Sequence, residues 1–590
     1  MLNVRFSNAV TSVLVDNDEQ FLETVQVKHE PEPVEELPGR LQLGIHFLDS
    51  AQKDYIKIPT SVLQLEELEE LHLEKNQIEA IPKEIGQLKN IKVLYLNNNK
   101  ITHICEEIGN LQNLHSLDLS SNPLSFDSLN IISRVNHLRE LRLYNLNLDI
   151  IPVEICKKLH HLQLLGLSNN QLKYLPAEIV NLICLKEIYL KNNLFEEIPV
   201  QICSLSNLEV VDLEKNALRS IPGQIGSLSR LCKLFLGSNN ISSIPKSLCH
   251  CTSLSVFDIS NNHLKKLPHN FSGVKQLHEL GLSDNSLKKF PSSLCQMEFL
   301  CVLYMKNCGL KMLPSTFSDM TCIKILDLGQ NNFSDFPSAI CELKCLQMLS
   351  LDDNSISTIS PDVKSLTQLT FLGLSGNRFL AFPEEICLIE SLQRLYIGQD
   401  QGIKFSKLPD SICWLKNLKE LYIENNNLVF LPSTLYQLKL LEVLDCRNNL
   451  LKQIPDEICK LQGLQKLLLQ NNQLSVLPCK LDLLQMLSVL LLDGNPMVDP
   501  SIELCSHGIS AVWEHLKEKR RRNGLATKIQ AWWRGLMVRK GLGPFAYLLS
   551  VNQKGKKTKK NKKGKGKKVQ IKGKKRKPED RRWADPGPIV

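Results

Sequence analysis

The residues best suited to binding chemistry lie in a short segment near residue 530. Four apolar side chains recur there at helical spacing and would form one stripe: Leu525, Ile529, Trp533 and Leu536. Four cations are interleaved with them: Lys528, Arg534, Arg539 and Lys540. A basic amphipathic helix of this kind suits capture in the apolar groove of an acidic partner. The segment therefore predicts a helical ligand for another protein.

The same segment also has a defined spacing. From Ile529 to Leu542 it reads I-Q-x-x-x-R-G-x-x-x-R-x-x-L, which resembles the IQ motif, a helical ligand for calmodulin and related EF-hand proteins. The resemblance implies that one lobe of calmodulin takes Ile529 and that the other contacts Arg539, with calcium dependence left open. It assigns calmodulin binding to seven residues: Ile529, Gln530, Trp533, Arg534, Gly535, Arg539 and Leu542. Two alternatives stay open, a helix packed back on the rest of the chain and a helix lying on a membrane surface.

The chain carries none of the common catalytic motifs. There is no G-x-x-x-x-G-K-[ST], no H-E-x-x-H, no kinase signature and no G-x-S-x-G. The run Cys249–His250–Cys251 has no second ligand pair at zinc spacing, so no metal or other cofactor is predicted. We therefore expect a protein that is not an enzyme.

A repeat that occupies most of the chain must position this segment. Residues 68–78 read L-x-x-L-x-L-x-x-N-x-I, and the Asn returns at Asn99 and Asn122, in steps of 23 residues from Asn76. Nineteen copies follow one another up to Asn495. This period is the signature of the leucine-rich repeat. It predicts an α/β solenoid of about 20 repeats, with short parallel strands on its concave face and no repeat stable alone.

Three copies lack the Asn, and one copy is longer than the others. Leu146, Cys308 and Asp400 take the place of Asn, and Leu146 is expected to loosen the ladder that the Asn side chains form in this family. The step from Asp400 to Asn426 is 26 residues because of an insertion at residues 401–405. Insertions map to loops, so this is either a functional bulge or drift in a tolerant loop.

Between the leucines of the strands lie residues that would line the concave face. Six aromatic residues occupy this place: Tyr95, Tyr189, Phe235, Tyr304, Tyr396 and Tyr422. Aspartates take it in other repeats: Asp118, Asp212, Asp258, Asp327 and Asp445. Exposed aromatics among acids are typical of a protein-binding surface, although they are also ordinary strand formers. We expect a protein partner on this face.

The cysteines follow the repeat. Seven of the nineteen lie ten residues after the Asn position of their repeat: Cys156, Cys203, Cys249, Cys295, Cys341, Cys387 and Cys459. A shared register predicts free thiols in the core and a reducing, cytoplasmic location, with nucleus or cilium left open. The first residues do not read as a secretory signal, and no run of 18 apolar residues predicts a membrane span.

Charge divides the chain sharply. Residues 517–590 contain 26 Lys and Arg against 4 Asp and Glu, a net charge of +22, whereas the whole chain carries +9. The first 516 residues therefore carry −13. The Lys-rich stretch from Lys554 to Lys577 has too little apolar content to fold. It predicts contact with an acidic surface, or a solvated tail, and it lacks the interleaved aromatics of specific nucleic-acid binding.

These features predict five regions. They are an acidic, flexible leader at 1–44, the solenoid at 45–500, a cap segment at 501–524, the IQ helix at 525–545 and a disordered Lys-rich tail at 546–590. The returning arc L-x-x-L-P-x-E-I-x-x-L, as at 175–179, resembles the intracellular Ras-group type of leucine-rich repeat.

The order of the regions resembles the leucine-rich repeat and IQ domain-containing proteins. It predicts a non-enzymatic scaffold that binds a protein on its concave face and an EF-hand protein on the IQ helix. Alternatives are a regulator of Ras-type GTPase or phosphatase signalling, and a cytoskeletal or axonemal adaptor that uses the basic tail.

Overall fold

The computed structural model describes residues 44–399, 404–540 and 542. The chain divides into two compact units, one ending at Leu277 and the other beginning at His278. The acidic leader, the Lys-rich tail and most of the insertion at 401–405 lie outside the described residues. Each unit holds ten three-residue strands.

In the first unit, each strand pairs in parallel with the strand of the next repeat, so that Leu71 lies opposite Leu94 and Leu94 opposite Leu117. The strands are β1 Phe47–Asp49, β2 Glu70–His72, β3 Val93–Tyr95, β4 Ser116–Asp118, β5 Glu140–Arg142, β6 Leu164–Gly166, β7 Glu187–Tyr189, β8 Val210–Asp212, β9 Lys233–Phe235 and β10 Val256–Asp258. Most returning arcs are 3₁₀ helices: Lys83–Gln87, Glu106–Asn110, Ala177–Asn181, Val200–Ser204, Gly223–Ser227, Lys246–His250 and Phe271–Gly273.

The second unit repeats the pattern, with Leu326 opposite Leu349. Its strands are β11 Glu279–Gly281, β12 Val302–Tyr304, β13 Ile325–Asp327, β14 Met348–Ser350, β15 Phe371–Gly373, β16 Arg394–Tyr396, β17 Glu420–Tyr422, β18 Val443–Asp445, β19 Lys466–Leu468 and β20 Val489–Leu491. Its 3₁₀ helices are Ser292–Gln296, Ser315–Asp319, Ser338–Glu342, Pro361–Ser365, Glu384–Leu388, Asp410–Trp414, Ser433–Gln437, Asp456–Lys460 and Leu481–Leu483.

Five α-helices interrupt or end the repeats. They are α1 Thr60–Leu63, α2 Phe126–Ile132, α3 Val153–Lys158, α4 Ile502–Ser506 and α5 Ile509–Lys540. The helices α2 and α3 belong to the two repeats that are 24 residues long, and the extra residue gives their arcs α-helical rather than 3₁₀ geometry. These bounds confirm the leucine-rich-repeat solenoid followed by a helix that carries the IQ segment.

A ladder of asparagines joins neighbouring repeats. The Oδ1 atom of Asn99 accepts the backbone N–H of Ile78 at 3.0 Å, and its Nδ2 atom donates to the carbonyl groups of Leu73 and Leu96. Each amide therefore satisfies backbone groups that the buried leucines would otherwise leave unpaired. At Cys308 the thiol takes over part of this role, because its Sγ donates to the carbonyl of Leu282 at 3.2 Å.

Leu146 fills the ladder position with a buried apolar side chain. Its backbone N–H still donates to Asn170 Oδ1 at 3.0 Å, but its side chain has no group that could reach back to the preceding repeat. The ladder is thus weakened by one amide at this repeat.

The predicted cap segment at 501–524 and the predicted IQ helix at 525–545 meet within one helix, because α5 runs without a break from Ile509 to Lys540. At 1.5 Å per residue its 32 residues extend about 48 Å. The segment that packs on the last repeat and the motif therefore belong to one helix.

Candidate functional site

The first half of α5 is fastened to the last repeat. Val512 and Leu516 are fully buried. Asp499 accepts hydrogen bonds from His515 Nε2 at 2.6 Å and from Lys519, while Arg520 pairs with Asp482 at 2.6 Å. Apolar burial and three polar anchors thus fix both the position and the rotation of the helix.

The charges of this anchor are mutually stabilising. Hydrogen bonds from Lys519 and then His515 hold the pKa of the Asp499 carboxyl below its usual range. The Asp499 carboxylate therefore stays ionised at neutral pH and can hold α5 through both hydrogen bonds.

Beyond the anchor the helix exposes its apolar stripe. Relative exposures are 51% for Leu525, 64% for Ile529, 60% for Trp532 and 54% for Trp533. Such large apolar side chains are normally covered when they form a contiguous patch. The structure thus leaves Leu525, Ile529 and Trp533 of the predicted stripe open, with Trp532 beside them, whereas Leu536 is half-buried.

The helical phase explains why this stripe stays open. Ile529 follows the buried Leu516 by 13 residues, which at 3.6 residues per turn places it about 140° around the helix. Its side chain therefore points away from the face that packs on the last repeat. One straight helix cannot bury both faces on the same surface, so this geometry disfavours the packed-back alternative.

The other predicted residues of the motif lie on the same exposed half-helix. The side chains of Gln530, Arg534 and Arg539 are exposed, and Leu542 is 52% exposed. A Cβ atom added at Gly535 would meet only the Nη2 atom of Arg539, at 3.8 Å. The fold of the described chain therefore does not require glycine here, although a glycine weakens a helix by about 1 kcal/mol.

On the strand face, the six predicted aromatics fall into different settings. The rings of Tyr396 and Tyr422 stack at 4.2 Å between centroids and 10° between planes, and Phe371 extends this row at 5.1 Å from Tyr396. The hydroxyls of both tyrosines donate to one carboxylate, that of Glu420. Three neighbouring strands thus hold a fixed aromatic row.

A second row lies at the start of the first unit. Tyr95 packs on His72 at 4.8 Å, and His72 packs edge-on against Phe47 at 5.2 Å. The remaining predicted residues are half-buried: Tyr189, Phe235 and Tyr304. The two tyrosines each lie between a glycine and an aspartate of the neighbouring strands, and Phe235 lies between two aspartates. The structure therefore does not unite all six residues in one site.

Phe371, Phe47 and His72 were not predicted from the sequence. Phe371 lies two residues before the strand position that holds the predicted aromatics, and it reaches Tyr396 across strands because its own strand has Gly373 opposite that tyrosine. Phe47 belongs to the degenerate first repeat. A search for glycine beside an aromatic residue at equivalent strand positions would have found the first row.

The aspartates between the leucines have a structural role that the sequence did not reveal. Asp118, Asp258 and Asp327 each use Oδ1 to accept the backbone N–H two residues later, at 2.9–3.0 Å. Asp445 does the same and forms a bidentate pair with Arg447. They are buried or half-buried, so they do not form the exposed acidic ring that we expected.

Desolvation changes the titration of these carboxyl groups. Burial raises the pKa of Asp212 to about 6, and it raises the pKa of Asp352, which follows β14, to about 7. Asp352 accepts hydrogen bonds from Ser350 Oγ at 2.9 Å and from Ser375 N at 2.7 Å. These hydrogen bonds favour the ionised form but are outweighed by burial.

None of the helices in the described residues has the length and apolar content of a membrane span. In the same ranges, no three His, Cys, Asp or Glu side chains are grouped to hold a metal ion. All nineteen cysteines lie in described positions and none forms a disulfide; among the seven in register, Cys249 and Cys295 are half-buried rather than buried.

Two family models match the chain. The leucine-rich repeat model matches residues 66–124, 206–264 and 416–474, and the model of the IQ calmodulin-binding motif matches residues 524–542. The second match covers all seven motif residues predicted above. It also begins inside α5, beyond the anchored half of the helix.

Two curated proteins are similar to part of the chain. Leucine-rich repeat and IQ domain-containing protein 4 of Mus musculus is 69% identical over 168 residues, which is 28% of this chain and 28% of that protein. The Homo sapiens protein of the same name is 64% identical over 184 residues, 31% of this chain and 33% of that protein. The matches thus span at most a third of the length of these relatives.

Solved structures share the fold. The ectodomain of the plant membrane receptor kinase GASSHO1/SCHENGEN3 from Arabidopsis thaliana is 30% identical with a TM-score of 0.57, covering 77% of this chain and 60% of that one. The plant peptide hormone receptor RGFR1 is 27% identical with a TM-score of 0.52, covering 75% and 79%. The chain therefore carries leucine-rich repeats and an IQ motif, and over the matched segments it is similar to leucine-rich repeat and IQ domain-containing protein 4.

Proposed function

We propose that this chain is a non-enzymatic adaptor that joins calmodulin or another EF-hand protein, bound on α5, to a protein bound on the strand face of the repeats. The observation that carries the proposal is the exposed stripe of Leu525, Ile529, Trp532 and Trp533 on a helix whose other face is fastened to the last repeat. The match to the IQ calmodulin-binding motif supports the same assignment.

The stripe has the chemistry that an EF-hand groove takes up. Calcium-sensor EF-hand proteins bind amphipathic helices in apolar grooves rich in methionine. Full burial of a side chain such as Ile529 or Trp533 contributes about 1.5–3 kcal/mol each before the costs of association. Arg534 and Arg539 lie exposed beside the stripe and complement the acidic surface of such a partner.

The partner of the strand face would contact the row of Phe371, Tyr396 and Tyr422. Aromatic residues dominate the binding energy of protein interfaces, and less entropy is lost on binding when their rings are already held in place. Ring stacking and the bonds to Glu420 supply that order here. The nineteen unpaired thiols support an adaptor that works in a reducing compartment.

Calorimetric titration of calmodulin into the full chain tests the proposal, once with calcium and once with a chelator. We expect binding in at least one condition, and loss of at least tenfold in affinity in the double variant Ile529→Ala, Gln530→Ala, since an anchor side chain is truncated. Val498→Ala removes a similarly exposed apolar side chain outside the stripe and serves as the control. Absence of heat in both conditions would refute the calmodulin assignment.

A further inference from the structure

An open groove of about 840 Å³ lies along the anchored half of α5. Helix α4 contributes Leu504 to its lining, and α5 contributes Ala511, Lys517, Glu518 and Arg521 among others. Both helices end the second unit, so the groove belongs to the same compact unit as the last repeat. No residue of the IQ motif lines it.

The groove continues the IQ stripe along the same side of the helix. Ala511 precedes Ile529 by 18 residues, a whole number of turns at 3.6 residues per turn, so the two lie in line on the helix. Arg521 and Lys517 lie on the flank of this line, about 80° and 120° around the helix from Ile529. A partner seated on the stripe therefore meets the groove at its centre and reaches the two cations at its flank.

The distance along the helix is short enough for one partner to contact both. Arg521 and Ile529 are eight residues apart, about 12 Å along the axis. A compact lobe of about 70 residues has a radius of gyration of about 11 Å. A lobe of this size centred on Ile529 thus extends to Arg521 and to the edge of the groove.

The charges in the groove suit an acidic partner. Lys519 and Arg520 are neutralised by Asp499 and Asp482 of the last repeat. Lys517 and Arg521 are exposed, and Glu518 is already engaged by Arg521 at 3.7 Å and by Arg522 at 3.1 Å. Glu514 is also exposed and lines the groove, so the cations Lys517, Arg521 and Arg522 exceed the carboxylates Glu514 and Glu518 by one charge. That excess suits an EF-hand protein, because such proteins are rich in the carboxylates that bind calcium.

We infer that the docking surface of the EF-hand partner extends beyond the IQ motif into this groove, where its acidic residues pair with Lys517 and Arg521. The inference rests on the proposed function and deepens it. Such a partner is bound to the motif and held against the end of the repeats at the same time. Calmodulin then occupies a fixed position relative to the last repeat.

The test is the affinity of calmodulin for the full chain with Lys517→Glu and Arg521→Glu, at low and at moderate salt. Both side chains are exposed and neither anchors the helix, so the fold is kept. We expect a loss of about tenfold in affinity at low salt that shrinks as salt rises, because exposed ion pairs are screened. The milder pair Lys517→Ala and Arg521→Ala should lose less.

A matched variant controls for long-range charge. Lys407→Glu and Lys452→Glu make the same charge change on exposed residues of the same unit, away from α5. A loss in the groove variant that exceeds the loss in this control supports the inference. Equal affinities of the groove and control variants overturn it while leaving the proposed function intact, whereas absence of calmodulin binding to the unaltered chain overturns both.

Discussion

The amide of Asn331 joins two neighbouring repeats through five hydrogen bonds. Its Oδ1 atom accepts the N–H groups of Cys308 and Leu310 at 3.0 Å, and its Nδ2 atom donates to the carbonyls of Met305, Leu328 and Gly329. Backbone groups at this depth have no water to replace a lost partner. Single side chains of this kind therefore set the stability of the array.

Replacing this amide should lower the stability of the folded chain. In Asn331→Ala the free energy of unfolding is expected to fall by about 2–4 kcal/mol, because buried donors and acceptors lose their partners. Urea denaturation followed by circular dichroism measures the change. The neighbouring Asn332 is exposed, so Asn332→Ala serves as the control. Equal denaturation midpoints for the two variants would contradict a supporting role of the ladder.

The Asp352 carboxyl makes stability depend on pH. Its pKa in the folded chain is about 7, above the value near 3.9 of an unfolded aspartate. Between these values the folded state binds more protons than the unfolded state, so this group lowers stability as pH rises through that window. Asp352→Asn keeps the shape of the side chain and removes the titration.

We expect Asp352→Asn to raise the Tm at pH 8 by about 2–4 °C and to have a smaller effect at pH 5, where the native carboxyl is already protonated. Differential scanning calorimetry at the two pH values measures the difference. The control Asp353→Asn changes the adjacent, exposed aspartate. A larger effect at pH 5 than at pH 8 would contradict a raised pKa.

At the scale of elements, α5 has two faces: one packs on the last repeat, and the other carries the exposed stripe. Leu516 is fully buried on the last repeat, whereas Leu525 is 51% exposed on the stripe. Leu516→Ala should lower stability by about 2–5 kcal/mol through lost burial and a cavity. Leu525→Ala should leave stability unchanged and weaken calmodulin binding by about five- to tenfold.

Thermal denaturation and calorimetric titration of both variants separate these effects, since the same substitution is made on the same helix. If Leu525→Ala destabilises the chain as much as Leu516→Ala, the stripe packs on the repeats and the assignment of the two faces is wrong.

The elements differ in how far the sequence predicts them. The positions of the strands and of the ladder asparagines follow from the 23-residue spacing, because only one alignment of neighbouring repeats buries every leucine and every Asn. The backbone conformation just before each Asn cannot be predicted from the residue type, since residues as different as Lys75 and Asn98 adopt the same left-handed φ of 56–57° there. A repeating backbone imposes this conformation and overrides the preference of the single residue.

The boundary between the cap segment and the IQ helix shows the opposite case. Gly524 lies at this boundary, exposed inside α5, and a Cβ at this position would meet nothing within 4 Å. Strong helix formers on both sides outweigh the cost of about 1 kcal/mol for one glycine. The motif residues themselves were predictable from spacing, but their orientation relative to the last repeat depends on the helix phase set by Val512 and Leu516.

At the scale of the whole molecule, the proposed adaptor uses the strand face of the repeats for one partner and the last repeat as the base of α5. The anchor at Asp499 and Asp482 holds α5, and the exposed half of that helix offers the motif. An adaptor of this design needs no catalytic site. Its central requirement is that the motif be open in the free chain and covered by the partner.

Hydrogen–deuterium exchange of the full chain, with and without calmodulin, tests that requirement most directly. We expect slow amide exchange at residues 509–520 in both states, because packing on the last repeat protects them. At residues 525–540 we expect faster exchange in the free chain and marked protection once calmodulin is bound. Equal, slow exchange of both halves in the free chain, unchanged by calmodulin, would contradict the account and show that the helix is packed along its whole length.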